Sequence, residues 1–201
     1  MLMMPFLIHA LSPLHAGTGQ GVDVIDLPIA RLKAMGIPFA PGSSIKGVLR
    51  DARRQDGEPE RLQAVFGPDT HNASEHAGAL VVGDARLLFL PVRSIRGTFA
   101  WVTSPLLLTL ALRDLTEAQA APSARSLTVP TLDGCGALVP PQSACLHEKG
   151  YVYLEDLDLR ARTSSELDAW IQLLARHISP VDLSVFEKRF TIVDDETMTR
   201  R

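Results

Sequence analysis

The residues best suited to chemistry lie near the N-terminus, around a glycine-rich loop. Leu14-His15-Ala16-Gly17-Thr18-Gly19-Gln20-Gly21 leads into Val22 to Ile29, which carries Asp23 and Asp26. The glycines free the backbone for close approach to a ligand. An exposed carboxylate can hold a divalent cation or accept a proton, and a histidine, titrating near neutrality, can donate a proton or position a phosphate. Asp26, set between the glycines and Pro28, and His15 are therefore the candidates. Asp23, three positions away in extended chain, points to the opposite side and counts as support. The plainer readings are a solvated loop aspartate and a hydrogen-bonded turn histidine, and the residues alone leave both open. The loop lacks a Walker lysine and does not open onto a helix, so it is not a P-loop.

A second set follows at Ser43, Ser44, Lys46, Arg50, Arg53 and Arg54. Pro38-Phe39-Ala40-Pro41-Gly42 reads as a turn, Ser43 or Ser44 as an N-cap, and Ile45 to about Arg54 as a helix. Ile45, Val48, Leu49 and Ala52 fall on one side and the cations on another, so the spacing predicts a buried aliphatic stripe and an exposed basic one. A helix N-terminus with two cations one turn apart suits phosphate, although a solvated basic face has the same pattern.

Around these sets, Phe6–Leu11 reads as a buried strand and Val22–Ile29 as edge or surface chain. A polar excursion carrying His71 and His76 follows Phe66, without companion ligands. Strands are expected at 79–82, 85–92 and 98–103, then a helix opened by Ser104-Pro105 and reaching about Arg113. Residues 118–124 read as linker, and 127–146 as short strands and turns. Beyond these come a strand at 151–159, a helix from Ser165 to about Ile178 and a last strand at 185–193. Strands mixed with helices, without strict alternation, point to α+β and not to a doubly wound sheet. Phe99 and Trp101 read as core, and with aromatics at 5% the composition does not indicate a base-stacking platform.

Composition narrows the class. With 201 residues and 46% hydrophobic content there is material for one core, which excludes disordered and fibrous chains. No apolar run reaches the length of a membrane span, and the start lacks a signal-peptide pattern, so a cytoplasmic protein with no membrane partner is expected. Cys135 and Cys145 have no C-x-x-C partner, only His147 lies nearby, and a zinc site is rejected in favour of free thiols. Net charge is −3, yet Arg31, Lys33, Lys46, Arg50, Arg53 and Arg54 face a single acid, Asp51, within residues 31–54. Acids gather instead at Glu155-Asp156-Asp158 and Asp194-Asp195-Glu196, a polarity that suits one basic face and separate protein-contact faces.

The strings Leu14-His15-Ala16-Gly17, Val24-Ile25-Asp26-Leu27-Pro28-Ile29 and Pro38-Phe39-Ala40-Pro41-Gly42-Ser43-Ser44-Ile45-Lys46-Gly47-Val48-Leu49-Arg50 resemble the RAMP superfamily of CRISPR proteins. Gly83-Asp84-Ala85-Arg86, Phe89-Leu90-Pro91-Val92-Arg93-Ser94 and Thr98-Phe99-Ala100-Trp101-Val102-Thr103-Ser104-Pro105 are similar to the backbone subunit of type III-B (Cmr) complexes in particular.

The resemblance implies a ferredoxin-like (RRM-like) α+β core with inserted loops and hairpins, as one domain over residues 1–201. It implies stacking of copies, with other Cmr subunits, along a guide RNA (crRNA) that pairs with target RNA. It also implies endonucleolytic cleavage of that target at regular intervals, supported by a divalent metal (Mg or Mn). By motif position Asp26 is the catalytic and metal-holding residue, and His15 stays the candidate, from its own chemistry, for assisting it. Lys46, Arg50, Ser43, Ser44, Arg53 and Gly17 are the RNA-binding candidates. Members of the family continue beyond this length, so a domain lacking its C-terminal part is expected. Two related alternatives are a non-catalytic RNA scaffold and a guide-processing endoribonuclease.

Overall fold

The computed structural model describes residues 2–17, 27–68, 76–119 and 126–199. Asp23, Asp26, Thr18 to Gly21 and His71 lie outside them. The chain forms two compact units, one of Ala10–Arg86 and one of Met1–His9 with Leu87–Arg201.

The unit of residues 10–86 contains β1 (Phe39–Ala40), α1 (Gly42–Arg53), a 3-10 turn (Arg54–Asp56), α2 (Pro59–Phe66) and β2 (Ala85–Arg86). Strands β1 and β2 pair antiparallel, Phe39 opposite Arg86 and Ala40 opposite Ala85. Helix α2 starts on Pro59, which needs no amide partner at that position. The amides of Ala79 and Leu80 bond the carbonyls of Ala64 and Val65, so residues 79–82 serve as the cap of α2 and not as the strand expected there.

The other unit holds β3 (Leu90–Arg93), β4 (Phe99–Thr103), α3 (Pro105–Glu117), β5 (Ala137–Val139), β6 (Tyr151–Leu154), β7 (Leu157–Thr163), α4 (Leu167–Ala175), α5 (Pro180–Arg189), β8 (Phe190–Val193) and α6 (Asp195–Thr199). Its six strands run in the order β3-β4-β8-β5-β7-β6. Within that order β8 and β5 are antiparallel, β5 and β7 parallel, and β7 and β6 antiparallel. These are the order and senses of a ferredoxin-like sheet, so the α+β expectation holds. The sheet also curls until its ends meet. Ser94 bridges Leu154, the Ile95 amide reaches the Tyr153 carbonyl at 3.3 Å, and the Glu155 amide reaches that of Arg93 at 3.0 Å.

Alternation along the strands sorts two cores. Val92, Ala100, Val102, Ala137, Val139, Val152, Leu154 and Val193 fill the inside of the curl with Cys145. Leu138, Phe190 and Ile192 point outward under Leu108 of α3, Trp170, Ile171 and Leu174 of α4, and Phe186 of α5. Trp101 packs on this second cluster, and Cys135 and Cys145 are free thiols. Burial raises the Cys145 thiol pKa by more than Ser94, Arg189 and Ser143 lower it.

Several sequence expectations change. Phe6–Leu11 forms no strand, and Leu2, Phe6 and Leu11 are exposed; with proline at both ends, its apolar pattern finds no strand partner among the described residues. Residues 151–159 fold as a hairpin and not one strand, because Glu155 turns the chain with φ of 51°. Ser179-Pro180 opens α5 where extended chain was expected from 185, the same start signal that Ser104-Pro105 gives α3.

Candidate nucleic-acid interface

Helix α1 is positioned from its first residue. Its N-cap is Pro41, so Ser43 and Ser44 lie inside the first turn, correcting the expected cap. The Gly42 amide donates instead to Asp84 Oδ1 at 2.8 Å. Pairing of β1 with β2 brings Asp84 there, and the absence of a side chain at Gly42 admits the Val82–Gly83 backbone. A Cβ on Gly42 would lie 2.2 Å from the Val82 carbonyl oxygen. Two strings singled out by resemblance, around Gly42 and around Asp84, thus form one piece of local structure. Asp84 itself went unassigned in the sequence, although it sits within one of those strings.

The helix also turns the opposite way from the expectation. Val48 is 70% exposed and Leu49 43% exposed, whereas Lys46 and Arg50 are half-buried. Gly42 docked on residues 82–83, and the Arg50 guanidinium donating to the Pro68 carbonyl at 2.9 Å, fix that rotation. Arg53 pairs with Asp56 at 3.3 Å, Arg54 with Asp51 at 3.4 Å, and Arg31 donates to the Gly36 carbonyl at 2.8 Å. Lys46 makes no hydrogen bond or ion pair among the described residues.

A groove of about 490 Å³ opens beside it, lined by Ser43, Lys46, Phe66, Gly67, His76 and Val82 among others. Ser43 and Ser44 are exposed, and their amides have no partner among the described residues. Two free first-turn amides and one unpaired ammonium group suit an anion of phosphate size. Asp84 already occupies the Gly42 amide, which leaves the neighbouring two.

The glycine loop is described at its two ends. Gly17 bridges Ile29, and the Ala30 amide donates to the Ala16 carbonyl at 2.7 Å. A Cβ on Gly17 would lie 2.7 Å from the Leu27 Cβ, so this neck closes only with glycine there. His15 is exposed, and its Nε2 lies 2.6 Å from the Leu27 carbonyl oxygen. An N–H donating to that carbonyl leaves Nδ1 as the free ring nitrogen. The Arg31–Pro38 bridge and the Phe39 amide on the Ala30 carbonyl continue the pairing toward β1 and α1. The structure thus ties His15 and Gly17 together at the neck and sets Ser43 and Lys46 together in the groove; Ser44, Arg50 and Arg53 are outside the groove lining. Among the described residues no three His, Cys, Asp or Glu side chains gather into a metal-holding group. Asp26, where a divalent ion is expected, lies outside them. No helix among the described residues is long and apolar enough to cross a membrane.

Comparison with known proteins bears on the family and the fold. The chain is 44% identical over 110 residues to the CRISPR system Cmr endoribonuclease Cmr4 of Pyrococcus furiosus, covering 54% of this chain and 37% of that relative. It thus spans little more than a third of that curated relative. The crystal structure of oligomeric Cmr4 from Pyrococcus furiosus superposes with a TM-score of 0.76 at 28% identity, covering 94% of this chain and 68% of the other. The type III-B Cmr-beta complex in its apo state, seen by cryo-electron microscopy, contains a chain of the same fold, with a TM-score of 0.63 at 20% identity, over 96% of this chain and 66% of that one. Residues 7–192 match the RAMP superfamily, and the chain belongs to that family.

Proposed function

We propose that this chain is part of a backbone subunit of a type III-B Cmr effector, working in the cytoplasm. In this reading it grips guide RNA and cleaves the paired target RNA at regular intervals, together with other Cmr subunits and further copies of itself. The observation that carries the RNA reading is Lys46, a half-buried cation without a hydrogen-bond or ion-pair partner among the described residues, beside two first-turn amides of α1. Phosphate contacts of this kind fix position and do not read sequence, which suits a subunit whose specificity comes from base pairing.

The cleavage reading places Asp26 next to Leu27, whose carbonyl anchors His15. The Asp26 carboxylate accepts the proton of a ribose 2′-OH, and the 2′-oxygen attacks the adjacent phosphorus. The bond to the 5′-oxygen breaks, and that oxygen takes a proton from Nδ1 of His15 in its doubly protonated form. The products are a 2′,3′-cyclic phosphate and a 5′-hydroxyl. A divalent-ion requirement belongs to the same proposal through Asp26.

The test is a complex reconstituted with guide RNA, comparing the native subunit with Asp26→Asn at matched assembly. Loss of an evenly spaced product ladder with target binding intact supports the reading. An unchanged ladder moves cleavage to another residue or subunit and leaves this chain a scaffold.

A further inference from the structure

The chain has two tyrosines, Tyr151 and Tyr153, and both lie on β6. Val152 and Leu154 point into the curled sheet and are buried, so the tyrosines share its outer face, where both are partly exposed. Their rings lie 6.1 Å apart between centroids with 21° between planes. His147 adds a third ring, edge-on to Tyr153 at 5.5 Å.

The three rings are held before any ligand arrives. A turn returns His147 over the strand, with the Gly150 amide on the His147 carbonyl at 2.9 Å and the His147 amide on that of Tyr151 at 2.8 Å. Gly150, with φ of +76°, supplies the backbone conformation this turn needs. The Lys149 amide donates to His147 Nδ1 at 3.3 Å, which leaves the Nε2 hydrogen free to donate. Across the ladder Arg160 is opposite Tyr151 and Asp158 opposite Tyr153, all on one face. Arg160 and Asp158 are exposed, and Lys149, two residues before Tyr151, is also exposed.

Ordered aromatic faces on a sheet, flanked by the cations Arg160 and Lys149 and by the exposed carboxylates of Asp158, Glu148 and Glu155, of which Asp158 can accept from a base amine, are the chemistry that holds unpaired nucleobases. We infer that the outer face of β6 is a stacking site for single-stranded RNA, apart from the Lys46 groove. This rests on the reading of the chain as an RNA binder and adds a second contact of different chemistry. Stacking is insensitive to salt, whereas the Lys46 contact is not.

The two are separated by titrating the chain with a fluorescently labelled single-stranded oligoribonucleotide at several salt concentrations. Tyr153→Ala is expected to weaken binding by about 5-fold to 100-fold with the salt slope unchanged, and Tyr153→Phe to keep most of the affinity. Lys46→Ala is expected to weaken binding and lower the salt slope by about 1. RNA carrying 4-thiouridine should crosslink to the peptide containing residues 147–153 in the native chain, which needs no variant to fold. Native affinity in Tyr153→Ala, equal loss in Tyr153→Phe, or absence of that crosslink overturns the stacking site while the Lys46 result still stands. A change in oligomeric state with unchanged RNA affinity would assign the face to a protein partner and overturn it too. Absence of RNA binding by the native chain overturns both readings.

Discussion

Two glycines of α1 should respond to alanine with opposite signs. At Gly42 the new methyl would sit 2.2 Å from the Val82 carbonyl oxygen and 2.8 and 2.9 Å from the carbonyl carbon and oxygen of Gly83. These are backbone atoms, so the clash is relieved only by moving residues 82–84, which stretches the 2.8 Å bond from Gly42 to Asp84. Overpacking costs about 1–3 kcal/mol, and losing a hydrogen bond to a charged group about 1.5–3 kcal/mol. Alanine recovers about 1 kcal/mol or less of helix propensity, leaving Gly42→Ala destabilising by about 2–5 kcal/mol. At Gly47 a Cβ meets nothing within 4 Å, so Gly47→Ala should stabilise the helix by about 1 kcal/mol. Hydrogen exchange of peptides within residues 42–68 reads this directly. Opening of that region should be roughly 30-fold to several thousand-fold more populated in Gly42→Ala, and less populated in Gly47→Ala. Both tryptophans, Trp101 and Trp170, lie in the other compact unit, so their fluorescence is the control that should not change. Exchange in Gly42→Ala no faster than in the native chain, or the same sign for both variants, would refute the role given to the Gly42–Asp84 contact.

Two further outcomes concern the sheet unit. At Asp194, burial works to raise the carboxyl pKa, but the Thr197 hydroxyl and the backbone amides of Thr197, Asp194 and Glu196 outweigh it and hold the group below its usual 3.8. A folded-state value lower than the unfolded one stabilises above the unfolded value, and the benefit is lost as pH falls through the folded one. The stability difference between the native chain and Asp194→Asn in urea titrations should therefore shrink from pH 6 to pH 3, and a constant difference would contradict the assignment. Trp170 is fully buried and donates from Nε1 to the Thr128 carbonyl at 2.9 Å. Trp170→Phe should lower the urea midpoint by the equivalent of about 1–3 kcal/mol at unchanged slope.

Local signals were legible where local chemistry decides. Ser104 caps α3 as its sequence predicts, and the α4 face of Leu167, Ile171 and Leu174 is buried as its spacing predicts. The orientation of α1 was not legible, because it depends on Asp84, 42 residues away from Gly42, and on Pro68. Amphipathic spacing says that a helix has two faces, and tertiary contacts decide which one is buried. The tyrosine pair was missed for a related reason. A low aromatic fraction says nothing about where the aromatics gather, and only the β6–β7 register sets Tyr151 beside Arg160. The Glu155-Asp156 acids fall inside the strand that the alternation of 151–159 predicts, and their service as a turn shows only in the backbone.

The seam at which Ser94 meets Leu154 brings the two edge strands of the sheet together. At that point the Ile95 and Glu155 amides are already taken by the Tyr153 and Arg93 carbonyls, so a foreign strand could pair there only by displacing them. In the proposed stack of copies along a guide RNA, joining strand to strand at this seam is disfavoured, and side-chain surfaces are left to make the contact.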